Sequence, residues 1–181
     1  MATLAAGIAD AKEWTKVRFG VEGAYPPFSE TTPSGELKGF DIDIANALCK
    51  QMKAECQLVQ QDWDGIIPAL LARKYDAIIA SMSVTEERKQ KVDFSKKYYQ
   101  TPARFVRKKD SGIEINADSL KGKKVGVQRA TIHDSFLTDN YGGQVEIVRY
   151  GTQDEANLDM VAGRVDLLLA DTVALSEGFL K

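Results

Sequence analysis

Residues 72–81, ARKYDAIIAS, and residues 162–171, AGRVDLLLAD, share one pattern: a small residue, a basic residue, an Asp, a short apolar run and a polar residue that ends it. A run of this length reads as a buried strand arriving from a helix. Phe19-Gly20-Val21-Glu22 is echoed in the same way by Val125-Gly126-Val127-Gln128. Short apolar strands with a polar end occur in any α/β protein, so the echo is one sign among several of two similar lobes.

The elements around the echo repeat as well. Residues 17–21 (VRFGV) read as a short buried strand, broken by Tyr25-Pro26-Pro27-Phe28. Residues 41–52 carry Ile44, Ala45, Leu48 and Met52 at helical spacing. Residues 56–59 predict a second strand and residues 63–72 a helix, where Pro68 is tolerated only near the first turn or with a bend. Residues 75–80 predict a third strand, and Ser83-x-x-Glu86 a capping-box start for a short helix. After a connection over residues 98–107 the order begins again: strand 124–127, helix 132–140, strand 145–150, helix 153–162 stopped by Gly163, strand 167–170. Such alternation means an α/β protein with parallel-rich sheets flanked by helices. It divides the chain into a first lobe over residues 12–100 and a second over residues 101–181.

At 181 residues, 44 % hydrophobic and 28 % charged, the chain can bury a core without staples, which excludes disorder. Lys and Arg number 24 against 26 Asp and Glu, a net charge of −2 that argues against a protein made to grip nucleic acid or anionic lipid. The apolar run over residues 2–9 is far below the roughly 20 residues of a membrane span. It leads into Ala9-Asp10-Ala11, an A-x-A cleavage pattern, and residues 1–11 read as the tail of a secretory signal peptide, with an arbitrary N-terminus as the alternative. Cys49 and Cys56 are close enough in sequence for a disulfide, with two buried free thiols as the alternative. One His and two Cys do not supply four good metal ligands.

In open parallel sheets, ligands bind beyond the carboxyl ends of the strands. Glu22, Ser81, Gln128 and Asp171 stand there, and their neighbours add Tyr25, Trp63, Met82, Ser83, Arg88 and Thr131 as candidate ligand-binding residues. Two lobes facing each other across these positions would form a cleft suited to a small ligand bearing both charges. The chain has no G-x-S-x-G, Walker loop, G-x-G-x-x-G or H-E-x-x-H, so no catalytic residue and no cofactor is expected. His133 reads as a solvated residue on a helix, and Asp41 with Asp43 as charges that favour the helix dipole. Taken singly, Arg88 reads as surface, Trp63 and Tyr25 as core, and Glu22 as solvated.

The chain resembles the extracytoplasmic solute-binding proteins of polar amino-acid ABC transporters, particularly the lysine/arginine/ornithine- and histidine-binding group. The stretches that carry the resemblance are VRFGVEGAYPPF, GELKGFDIDIANALCKQM, WDGIIPALLARKYDAIIASMSVTEERKQKVDFS, LKGKKVGVQRATIHD and VAGRVDLLLADTVALSEGFLK. It implies the two-lobed periplasmic-binding-protein type II fold, a periplasmic location and a Cys49–Cys56 disulfide typical of the basic-amino-acid branch. It also implies capture of arginine, lysine, ornithine or histidine for an inner-membrane ABC permease, with opines open on the same scaffold. The resemblance gives Arg88 and Thr131 the ligand α-carboxylate, and Asp171 and Ser81 the α-ammonium. Ser83 adds a donor, Glu22 faces the distal cation, and Tyr25 and Trp63 flank the ligand's side chain. The competing readings are a dehydratase-type enzyme on the same fold and a receptor's sensor module. Members of the group continue past SEGFLK into a segment that returns to the first lobe. Its lack implies a shortened chain with an incomplete second lobe, whose apolar surface lowers solubility or invites pairing between chains.

Overall fold

The structure, a computed structural model, describes residues 14–180, so the expected leader tail over residues 1–11 lies outside the described residues. The chain opens with β1 (Lys16–Val21), a small antiparallel ribbon of β2 (Ala24–Tyr25), β3 (Ser29–Thr31) and β4 (Leu37–Lys38), and α1 (Phe40–Met52). Then come β5 (Glu55–Gln60), a 3₁₀ turn over Trp63–Gly65 that runs into α2 (Ile66–Leu71), β6 (Ala77–Ile78) and α3 (Glu86–Lys89). Strands β5, β1 and β6 form a parallel sheet in that order. Both of its faces are covered, as a parallel sheet requires. Val17, Phe19 and Val21 pack with Ile42, Ala45 and Cys49 of α1. On the opposite face Ile66 and Ala69 of α2 pack with Tyr75 and Ala80. Gly20 lies under the Tyr75 ring, which a side chain there would strike.

The second half holds β7 (Ala103–Arg107), a 3₁₀ turn over Lys109–Ser111, α4 (Ala117–Leu120), β8 (Lys124–Gln128), α5 (Ile132–Tyr141), β9 (Glu146–Tyr150), α6 (Gln153–Val161), β10 (Leu167–Asp171) and α7 (Thr172–Gly178). Its sheet runs β7-β10-β8-β9, parallel except for β7, which is antiparallel to β10. The period of two along β10 sends Leu167 and Leu169 to one cluster with Val125, Val127 and Leu137. Leu168 and Ala170 go to another with Ala156, Met160 and Leu175. Fully buried leucines such as Leu167 and Leu168 contribute about 1.5–3 kcal/mol each.

The sequence echo has a structural cause. Asp76 accepts a hydrogen bond on its side chain from the Arg18 backbone N–H (2.9 Å) and donates its own N–H to the Arg18 carbonyl (2.9 Å). Asp166 does the same to Lys124, accepting at 2.8 Å and donating at 2.9 Å. Each repeated Asp therefore ties the turn before one strand to the start of its parallel neighbour.

Several local expectations are corrected. The supposed connection over residues 98–107 contains β7, where Arg104 and Arg107 flank Phe105-Val106 and leave no period-two pattern to read. The helix over residues 63–72 is a 3₁₀ turn followed by α2, with Pro68 in the third position where its missing N–H leaves no bond unmade. The strand over residues 75–80 shrinks to Ala77–Ile78. The short helix is capped by Thr85, whose hydroxyl accepts from the Arg88 N–H at 3.2 Å, not by Ser83. Gly163 does stop α6, at φ +73°. Cys49 and Cys56 are bridged, with Cα atoms 5.9 Å apart, pinning the end of α1 to β5. Ala174 of α7 packs on Tyr25, Phe28 and Tyr99, tying the second half to the ribbon of the first. No helix among the described residues is long and apolar enough to cross a membrane.

Candidate functional site

The carboxyl ends of β1, β6, β8 and β10 face a common cavity. Glu22, Ser81, Gln128 and Asp171 line it from those ends. Tyr25 of β2, Trp63 of the 3₁₀ turn, Ser83 and Arg88 join from the first half, and Thr131, Ile132 and His133 from the start of α5. The walls enclose about 340 Å³, open mouth included. A larger hollow of about 1,050 Å³ beside β7 is lined mainly by apolar side chains and lacks convergent polar groups, so it is not the better candidate.

Arg88 is half-buried, and burial lowers its pKa. Its Nη1 donates to the Ser83 carbonyl (2.8 Å), its Nη2 to the Ala130 carbonyl (3.0 Å), and its guanidinium carbon lies 5.3 Å from the centre of the Trp63 ring. A guanidinium has five N–H donors, so three remain for a ligand. Trp63 Nε1 donates to the same Ala130 carbonyl at 3.1 Å. Ala130 occupies the left-handed region at φ +58°, as does Ser81 at φ +52°. For side-chain-bearing residues that backbone conformation is unfavourable by about 1–2 kcal/mol each, and such strain gathers at functional sites.

Glu22 is only 5 % exposed. Its Oε1 accepts from Gln128 Nε2 at 2.5 Å, and the charges that act on it are Asp154, Asp62 and Asp41. Burial pushes its carboxyl up to about 7, opposed by the Gln128 bond and aided by those acids. Asp171 accepts on Oδ2 from the Tyr25 hydroxyl (2.7 Å), and its Oδ1 lies 3.7 Å from His133 Nε2. Burial, then the Asp171 charge, drives the Tyr25 hydroxyl well above its ordinary value. Thr131 caps α5, donating to the Gln128 carbonyl (2.8 Å) and accepting from the Asp134 N–H (3.2 Å).

Among the described residues five polar contacts cross between the halves: Glu22 with Gln128, Tyr25 with Asp171, Trp63 and Arg88 with Ala130, and an ion pair between Asp64 and Arg129 at 2.5 Å. Glu22, Gln128, Tyr25, Asp171, Trp63 and Arg88 line the cavity as well as bridging it, while Asp64, Arg129 and Ala130 bridge the halves outside its lining.

Nine of the ten candidates meet at this cavity. Met82 does not; it packs beside the cluster of Ile66, Ala69, Tyr75 and Ala80. Two residues were misread. His133 is 6 % exposed, lines the cavity and has no hydrogen-bond partner for Nε2 among the described residues, so it is not solvated. It stands four residues before the fully buried Leu137, and that helical spacing is the signal that places it inward. Asp41 is fully buried and accepts from Ser81 Oγ (2.7 Å) and Tyr98 OH (2.8 Å), with burial raising its pKa. Because Ser81 spends its one proton on Asp41, its hydroxyl can act toward a ligand only as an acceptor. Among the described residues no group of three His, Cys, Asp or Glu side chains is placed to hold a metal ion.

Comparison with known proteins gives a consistent set of relatives. A family profile described as bacterial extracellular solute-binding proteins, family 3, matches residues 17–158. The chain is 54 % identical to the L-arginine-binding protein of Pseudomonas aeruginosa and 43 % identical to the lysine/arginine/ornithine-binding periplasmic protein of Escherichia coli. Each match covers 91 % of this chain, which spans 64 % of the length of those relatives. An ancestral arginine-binding protein solved with arginine is 38 % identical, with a TM-score of 0.83 over 92 % of this chain and 74 % of that one.

Proposed function

The chain belongs to the bacterial extracellular solute-binding proteins, family 3, and on that premise we propose that it captures a basic L-amino acid between two lobes, residues 12–100 and 101–181. The observation that carries the reading is one cavity walled from both sheets that holds an Arg guanidinium and, apart from it, a buried carboxyl with no cationic partner among the described residues. Arg88 takes the α-carboxylate through its free donors, with the N-terminal turn of α5 at Thr131 beside it. Asp171 and the lone pairs of Ser81 take the α-ammonium. Glu22 faces the distal cation, while Tyr25 and Trp63 flank the carbon chain between. A ligand that touches both lobes favours closure only when present, which is what a capture-and-delivery protein requires. Delivery is to an inner-membrane ABC permease, from the periplasm, and the Cys49–Cys56 bridge suits that oxidising compartment. The names of the two curated relatives support arginine, lysine and ornithine as the ligand class.

A thermal-shift screen of the twenty amino acids with ornithine, octopine and nopaline tests the reading. At a hundred times its dissociation constant, a cationic ligand adds about 2.7 kcal/mol of stability. A response to neutral or acidic ligands and none to any cationic one would overturn the assignment.

A further inference from the structure

We propose that Asp41, which does not itself line the cavity, is the positioning residue that makes the cleft select an α-ammonium: it takes the Ser81 proton, so that Ser81 meets the ligand as an acceptor and never as a donor. The inference rests on the reading of the cavity as an amino-acid site and names the group that sets the polarity of its amine end.

The geometry carries it, and it lies within one half of the chain. Asp41, in the first turn of α1, is fully buried. Its Oδ2 accepts from Ser81 Oγ at 2.7 Å and its Oδ1 from the Tyr98 hydroxyl at 2.8 Å. Burial raises its pKa, and the hydrogen bonds from Ser81 and Tyr98 oppose the rise. The N-terminal end of α1 favours the anion as well. A carboxylate offers acceptors only, so Ser81 must aim its one proton at Oδ2. Tyr98 holds Oδ1, which fixes the plane of the carboxylate, and the Ser81 backbone is set in the left-handed region at φ +52°. Burial raises the Tyr99 hydroxyl too, and a side-chain hydrogen bond with Ser81 opposes it. With its proton on Asp41 and one lone pair engaged by Tyr99, Ser81 Oγ keeps one lone pair for the cavity it lines. None of these bonds reaches into the second half, so the relay does not depend on how the two halves stand to each other.

Discrimination follows from counting donors. Ser81 and Asp171 both face the ligand as acceptors. An ammonium has three N–H donors and satisfies both; a neutral hydroxyl has one and leaves an acceptor unpaired, which is costly in a buried site.

Calorimetry with L-arginine and with its α-hydroxy analogue, in which a hydroxyl replaces the ammonium, reads the role of Asp41. Asp41→Asn keeps the shape and changes the polarity: the amide oxygen stays with the Tyr98 hydroxyl, the amide N–H donates to Ser81 Oγ, and the Ser81 proton turns to the cavity. Arginine binding should weaken about tenfold to a hundredfold, the loss expected for a hydrogen bond to a charged group. The α-hydroxy analogue should bind as well or more tightly, because its oxygen can then accept from Ser81 while its proton goes to Asp171. In a Ser81→Ala background Asp41→Asn should alter arginine affinity by no more than about twofold, since the group it acts through is gone. Should Asp41→Asn fold poorly, neutron diffraction of the wild-type arginine complex decides: the Ser81 deuteron is expected on the line to Asp41, and a deuteron aimed at the ligand would overturn the proposal. Equal weakening of both ligands by Asp41→Asn, or the same loss with and without the Ser81 hydroxyl, would overturn it while leaving the ligand class standing. Absence of arginine binding by the wild-type chain would overturn the reading beneath it.

Discussion

Arg88 and Glu22 carry opposite charges into one cleft, and the protein treats them differently. Around Arg88 it supplies two carbonyls and the face of an indole, so the cation is held in place before any ligand arrives. Around Glu22 it supplies one amide and, acting through their charge, three carboxylates, so among the described residues the acid has no cationic partner. The first region is preorganised for an anionic group; the second is stable only with a proton or a foreign positive charge. That difference teaches how one cleft can orient a zwitterion and still ask for a third, positive group.

The comparison can be broken most severely at its preorganised side. Arg88→Ala should weaken arginine binding by about 2–5 kcal/mol, because the ligand carboxylate is then buried without a partner. Calorimetry reads the loss, and circular dichroism should show the fold intact. Glu22→Gln should act in two opposite ways. It weakens arginine binding above pH 7, and it stabilises the closed, ligand-free form there by about 1–3 kcal/mol. The sign follows from the raised carboxyl. In the folded chain it moves from its ordinary 4.5 to about 7, so its stabilising contribution is full below 4.5 and is lost as pH rises through 7. Urea titrations of variant and wild type should therefore diverge with rising pH and coincide near pH 4.5.

Smaller changes sharpen the same contrast. Trp63→Leu should cost about 0.5–2 kcal/mol of arginine affinity by removing the aromatic face that Arg88 rests on. The Asp64–Arg129 pair lies at the surface, with side chains 38 % and 48 % exposed, and closes the cleft without lining it. Breaking it with Arg129→Asp should weaken all ligands alike by about 0.2–1 kcal/mol. Adding Asp64→Arg should restore the loss; a change in the ranking of ligands would place the pair in the binding surface instead.

Much of this was legible in the chain because strand ends are easy to see. An apolar run that stops at Glu22, Ser81, Gln128 or Asp171 marks both the strand and the residue that leaves it, and the sheet then brings those residues to one place. The ribbon of β2, β3 and β4 was not legible, since strands of two or three residues have no period to detect. Asp41 was hidden by chemistry: an acid in the first turn suits the helix dipole, and that sufficient reason concealed its place on the face of Ala45 and Cys49. Met82 lies outside the cavity that Ser81 and Ser83 line and packs beside the cluster of Ile66, Ala69, Tyr75 and Ala80, a separation that a three-residue stretch with a left-handed Ser81 gives no period to reveal. His133 shows the same lesson in a helix, where its spacing from Leu137 outweighs its polarity.

A crystal structure of the arginine complex tests the central claim most directly. The account predicts the α-carboxylate against Arg88, the α-ammonium between Asp171 and Ser81, and the guanidinium within hydrogen-bond reach of Glu22. Arginine bound in the reverse orientation, or outside the cavity shared by the two sheets, would contradict it.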